Sequence, residues 1–240
     1  MLTGEAAKGA RQVAKREGPQ VGIIENMPFL GRKFAAYLEE LDITYRIVRA
    51  WRGALLPADC GAYILTGDLH NVTDGLKDYH RRELDLLEKV AGRRVYASCF
   101  SHQLIALQRG GRVERRRKRL LGFEHIQLHG EHPALAGMNG FKALCLNTDE
   151  VTEPPVDARL LGTSESCRVQ VLAYGEDVLT CQAHPERPAG GRPGLNLTAL
   201  LLAGGSPSRF ARFRGSLALA DDSSSDAFMR GVADWLLGSF

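Results

Sequence analysis

The sequence predicts an α/β fold: a mostly parallel central sheet with helices on both faces, extended by short antiparallel strands in the C-terminal half. Two patterns carry that prediction. Apolar strand-like runs alternate with stretches of helical spacing from Val21 to Gln108. After Gly110-Gly111 the helical stretches give way to one β-like run after another. A chain of 240 residues is also long enough to bury a sizeable core in one domain.

Val21 to Glu25 reads as a short buried strand. Leu30, Phe34, Leu38 and Leu41 then share one helical face. Thr44 to Val48 is a second strand, and Ala62 to Thr66 a third that ends at Gly67-Asp68. Leu76, Tyr79, Leu84, Leu87 and Val90 outline the next helix. Arg94 to Ala97 is the fourth strand, followed by a helix from Ser101 to Gln108 that Gly110-Gly111 ends. Beyond lie Phe123 to Leu128, Lys142 to Leu146, Arg159 to Thr163, Val169 to Tyr174 and Val178 to Gln182, the last two joined by a turn at Tyr174 to Asp177. The Gly-, Pro- and Arg-rich stretch 187–215, with an apolar island at 195–202, gives no clear element. Asp221 to Asp226 reads as a polar cap for a terminal helix over Ala227 to Leu237, its core face formed by Phe228, Val232, Trp235 and Leu236. Residues 1–20 read as a flexible basic arm and 21–240 as the domain.

Composition removes several classes of function. The 31 basic and 28 acidic residues leave a net charge of +3, too little to argue for nucleic acid. No run approaches the roughly 18 consecutive apolar residues of a membrane span, and the N-terminal stretch lacks the apolar core of a signal peptide. The five cysteines form no CxxC pair and are odd in number, which argues against a disulfide framework or zinc site and fits a reducing cytoplasm. His80, His125, His129 and His132 show no metal-ligand spacing, and neither metal nor cofactor is expected.

The chemistry concentrates at Cys99. It follows a strand and precedes a helix, at the carboxyl end of a parallel sheet where sites of this architecture gather. The helix N-terminus favours a thiolate, and its free N–H groups can stabilise an oxyanion. Ala97, Ser98 and Ser101 are small enough for a sharp turn. His184, after the strand at 178–182, can serve as base. Pro185 holds His184 extended, so Glu186 can face the same way and orient the imidazole.

Taken together, Cys99-Phe100-Ser101-His102-Gln103, Gly110-Gly111-Arg112-Val113, Gly122-Phe123-Glu124, Asn147-Thr148-Asp149-Glu150-Val151 and Gln182-Ala183-His184-Pro185-Glu186 resemble, in order, motifs of the class I (triad-type) glutamine amidotransferase domain. The resemblance runs from about Val21 to Glu186 and implies the flavodoxin-like architecture of that family. It implies Cys99 as nucleophile, His184 as base and Glu186 as its orienter. It places an oxyanion hole at the backbone N–H groups of Gly67 or Asp68 and of Phe100, and Gln103 beside the substrate. His70 joins the substrate-binding set as a loop residue near the pocket mouth. The implied reaction is attack on a γ-carboxamide, loss of ammonia and hydrolysis of a γ-glutamyl thioester.

The chain departs from the family at several points. Ala97 and Ser101 replace the glycines that flank the nucleophile, and Asn147 or Thr148 stands where a histidine is expected. Asp68 is an unusual neighbour for an oxyanion, and its side chain is expected to turn away or bind an amine. Arg115 to Arg119 reads as a solvated hairpin, or as a docking surface for an acidic partner or anionic substrate. Three functions stay open: a glutaminase feeding ammonia to a separate synthetase, a stand-alone γ-glutamyl hydrolase or peptidase, and a non-catalytic binding relative.

Overall fold

Alternate residues of the first strands face two different cores. Val21, Ile23, Ala62, Ile64 and Tyr96 pack on one side of the sheet, and Ile24, Tyr63, Leu65, Val95 and Ala97 on the other. Both sides are buried, so the strands read as continuous apolar runs. The computed structural model describes residues 20–187 and 206–238, and residues 1–19 of the N-terminal arm and the apolar island at 195–202 lie outside them.

The strands are β1 (Val21–Glu25), β2 (Tyr45–Arg49), β3 (Ala62–Leu65), β4 (Arg94–Ser98), β5 (Arg112–Leu128), β6 (Gly140–Glu153), β7 (Ala158–Thr163), β8 (Val171–Tyr174) and β9 (Val178–Cys181). The helices are α1 (Gly31–Glu40), α2 (Asp78–Lys89), α3 (Phe100–Gln108), α4 (Pro207–Ser216) and α5 (Asp222–Leu237). All nine strands join one sheet in the order β2-β1-β3-β4-β9-β8-β7-β5-β6. The first five in that order run parallel and the remaining pairings are antiparallel. The parallel half is thus flavodoxin-like, with β9 as its fifth strand.

Helices α1 and α5 cover one face through Phe34, Leu38, Phe228, Val232 and Trp235. Helices α2 and α3 cover the other through Leu86, Ile105 and Ala106. The ends of these helices are fixed locally. Glu25 Oε1 accepts the Gly31 N–H at the start of α1, 3.1 Å away. Asp221 caps α5 by accepting the Ser223 N–H, and Gly238 ends it at φ 76°.

The antiparallel half differs from the sequence expectation. β5 and β6 are long, with 17 and 14 residues. The basic cluster at 115–119 lies in β5, which pairs antiparallel with β6, and Arg115, Arg117 and Lys118 are exposed to solvent there. Opposite charges meet across the strand pair: Arg115 meets Asp149 at 3.2 Å, and Arg116 pairs with Glu150. The ladder is irregular between Arg115 and Leu120, which oppose Asp149 and Asn147. Helix α4 was not legible in its Arg- and Gly-rich setting; Phe213 anchors it against Leu121, Phe123 and Leu144. Helix α5 begins earlier than predicted, because the polar run after Asp221 continues as its first turns.

Candidate active site

Cys99 sits between β4 and α3 with φ 52° and ψ −104°, a left-handed backbone that non-glycine residues rarely adopt. Such a conformation costs on the order of 1–3 kcal/mol and persists only where neighbours enforce it. Here the Cys99 N–H donates to the Cys181 carbonyl of β9 at 2.8 Å, so the parallel sheet holds the turn from below. The thiol, at the start of α3, is buried at 6% exposure. Its sulfur lies 3.8 Å from the Leu146 carbonyl and 3.7 Å from the Gln182 amide nitrogen.

His184 reaches this thiol from the segment after β9. Its own N–H donates to the Leu144 carbonyl of β6 at 2.8 Å, an isolated bridge that pins the segment between the two sheet halves. The ring Nδ1 bonds Glu186 Oε1 at 2.8 Å, which leaves Nε2 for the thiol. Burial alone would lower the imidazole pKa, yet the adjacent Cys99 and Glu186, both hydrogen-bonded to it, raise it. A protonated imidazole, hydrogen-bonded to both Cys99 and Glu186, is the state this geometry favours. Cys99, His184 and Glu186 therefore lie together.

Gly67 lies where a side chain would be crowded. A Cβ there would stand 3.2 Å from Cys99 Cβ and 3.4 Å from His184 Cε1. The Asp68 carboxylate turns to Tyr79 Oη at 2.6 Å, His80 Nε2 at 2.9 Å and the His70 N–H at 3.1 Å. Burial raises its pKa, but these hydrogen bonds outweigh that and lower it. The His80 Nδ1 accepts the Lys77 N–H, so Nε2 carries the proton given to Asp68. His70 lines the cavity with its Nε2 2.6 Å from the Gly75 carbonyl. Phe100, 1% exposed, lines it too and packs on His80 with ring centroids 4.2 Å apart.

Gln103 lines the cavity, but its amide nitrogen is held by the Asp149 carbonyl at 2.7 Å and Gln182 Oε1 at 2.8 Å. Gln182 in turn faces the thiol, so Gln103 touches Cys99 through it. His102, the one histidine of α3, is fully buried and bonds Thr180 at 2.7 Å. Burial lowers its pKa to about 3, which suits a neutral structural ring.

These groups surround a cavity of about 150 Å³. Its floor comes from loops of the parallel half: Met27, Leu30, Gly67, Cys99 and His184. Its wall comes from β5 and β6, with Arg119, Leu146, Asn147, Thr148 and Asp149; Arg187 stands beside them. Asp149 is itself neutralised by Arg115 and by the N–H and hydroxyl of Thr73, each 2.8 Å away. Arg115 also reaches Asp74 at 2.8 Å, so it ties the wall to the loop after β3. Among the described residues no group of three or more His, Cys, Asp or Glu is placed to hold a metal, and no helix is long and apolar enough to cross a membrane.

Sequence reasoning missed a buried polar cluster behind Gly67: Asn26, Thr66, Glu83 and Ser101. A signal was present. Glu83 shares one helical face with Tyr79, Leu86 and Val90, a charge in an apolar stripe.

The site and sheet define the class of fold: that of the class I glutamine amidotransferases. A glutamine amidotransferase from Thermotoga maritima superposes with a TM-score of 0.74 over 90% of this chain and 97% of its own, at 15% identity. Among curated proteins, gamma-glutamyl peptidase 2 of Arabidopsis thaliana is 31% identical over 112 residues, covering 44% of this chain and 43% of its own. The glutamine-hydrolyzing GMP synthase subunit of Sulfolobus acidocaldarius is 34% identical over 90 residues, covering 37% of this chain and 48% of its own. The chain spans about half the length of the curated relatives it matches. No family model matches it.

Proposed function

We propose that the chain is a cysteine-dependent hydrolase of γ-glutamyl amides, with glutamine as substrate and ammonia as first product. The observation that carries this reading is the ordered set Cys99–His184–Glu186, buried beside Gly67, where a Cβ would crowd Cys99 Cβ at 3.2 Å. The Cys99 thiolate attacks the γ-carboxamide carbon. The Gly67 or Asp68 N–H and the Phe100 N–H receive the oxyanion. His184 gives its proton to the leaving nitrogen, ammonia departs and a γ-glutamyl thioester remains. His184 then takes a proton from the water that attacks the thioester, which releases glutamate and restores the thiolate beside a protonated His184. Glu186 keeps Nε2 aimed at the sulfur throughout. Gln103 acts by positioning Gln182 and the wall, and His70 by shaping the cavity mouth. Arg119 and Arg187 line the same cavity and suit the α-carboxylate of a γ-glutamyl group.

Two outcomes for the ammonia fit this chemistry. A separate synthetase takes it, in keeping with the GMP synthase relative. Alternatively, the leaving group is a larger amine and the enzyme is a γ-glutamyl peptidase, in keeping with the Arabidopsis relative. The second reading is supported by the cavity mouth, where Leu69 is 58% exposed and leaves apolar surface beyond the thiol. The arm at residues 1–20, the domain span 21–240 and a cytoplasmic location remain part of this proposal. Incubating the protein with glutamine and a series of γ-glutamyl amides, while following ammonia and glutamate, tests it. Release from glutamine supports the first reading, release only from larger amides supports the second, and no release from any overturns both.

A further inference from the structure

We propose that Glu83, acting through Ser101, is a positioning residue that fixes the peptide between Thr66 and Gly67 and so aims the Gly67 N–H at the reacting carbonyl. The proposal rests on the reading above that this N–H receives the oxyanion.

A peptide group is planar and trans, so its carbonyl and its N–H point in opposite directions. Whatever grips the Thr66 oxygen therefore sets the direction of the Gly67 N–H. Two donors grip it: Asn26 Nδ2 at 3.1 Å and Ser101 Oγ at 2.8 Å. Both donors also touch the buried Glu83 carboxyl, Asn26 at Oε2 (2.6 Å) and Ser101 at Oε1 (2.5 Å). The cluster joins the turn after β1, the loop after β3, α2 and the first turn of α3, and every member is buried. Ser101 occupies the place where the resembled family carries glycine, so this hydroxyl is a feature of the present chain.

Proton counting makes the link specific. The four contacts of 3.1 Å or less need four protons; a fifth, Asn26 Nδ2 to Ser101 Oγ, is longer at 3.3 Å. Asn26 supplies two and Ser101 one. The fourth is present only when Glu83 is protonated: it then donates to Ser101, which is free to donate to Thr66. When Glu83 ionises, Ser101 must turn its single proton to the carboxylate, and Thr66 loses one of its two donors. The surroundings favour the neutral acid. Burial raises the Glu83 pKa to about 7 even though Ser101 and Asn26 lower it, and Asp68 is the charged neighbour that acts on it, also upwards. His80, on the same helix, is committed to Asp68.

The test measures kcat and KM against pH for the full chain and for E83A, E83Q and S101A, with amide hydrogen exchange at Thr66 to Asp68 in the same samples. S101A and E83A are expected to lose about tenfold or more in kcat with KM within about twofold, since oxyanion donors act in the transition state. Their exchange at Gly67 should quicken. E83Q, whose amide can donate to Ser101 and accept from Asn26, should recover most of the activity lost in E83A. It should also lack the fall in kcat that the parent shows as pH rises through about 7. Unchanged kcat and exchange in S101A, or the same fall in E83Q, would overturn the proposal. If the parent turns over no γ-glutamyl compound, the reaction reading fails, while the exchange comparison still decides whether Glu83 and Ser101 hold the Thr66 peptide.

Discussion

The two halves of the sheet divide the work at the cavity. The parallel half brings the groups proposed to react to strand ends: Gly67 after β3, Cys99 after β4 and His184 after β9. The antiparallel half contributes a wall and anchors. Leu144 and Leu146 on β6 present carbonyls to His184 and Cys99, and Asp149 holds Gln103 and Thr73. The chemistry is thus local to short loops, whereas the cavity's geometry is set across long strands. A change in the first half should strike kcat, and a change in the second should strike substrate fit.

The sharpest break of that comparison is Cys99→Ala. It should remove turnover by about a thousandfold or more while the folded state persists, because the turn is held through the backbone of β9. Ammonia release and a thermal melt check both parts. Gly67→Ala comes next. Its methyl group would press on Cys99 and His184, so kcat should fall by about tenfold to a hundredfold with little change in unfolding temperature.

Glu83 gives a stability effect in the parallel half. Its pKa rises from an ordinary 4.5 to about 7 in the folded chain, chiefly through burial. The stabilisation of the neutral acid is complete below the unfolded pKa and is lost as pH rises through the folded one. Unfolding free energy should therefore drop by about 3 kcal/mol between those pH values, a slope absent in E83Q. Chemical denaturation at several pH values reads it. The smallest effect belongs to the wall. Arg115→Ala frees Asp149 and the loop at Thr73, and should raise KM a few-fold with kcat nearly intact. A large fall in kcat there would erase the division between the halves.

The same division explains what the sequence revealed. Apolar runs and a small-residue turn mark β1, β3, β4 and Cys99, since each signal lies within a few neighbouring residues. His184 and Glu186 were legible because proline fixes the local backbone between them. The length of β5 was not. Its run of arginines faces solvent in part, and the partners Asp149, Glu150 and Asp74 that hold it in the strand come from distant segments. The Asn26–Thr66–Glu83–Ser101 cluster was hidden for the same reason, as its members come from four separate elements. Ser101 was visible only as a missing glycine, and the structure supplies its partners.

The hydrogen bond from the His184 N–H to Leu144 has a consequence for the order of folding. Together with the Cys99–Cys181 bond, it closes the site through residues far apart in the chain. Such long-range closures come late, after local helices and neighbouring strands have formed. A refolding chain should regain most of its helical signal before any turnover returns. Cys99 and His184 are brought together only once β4, β6 and β9 have met.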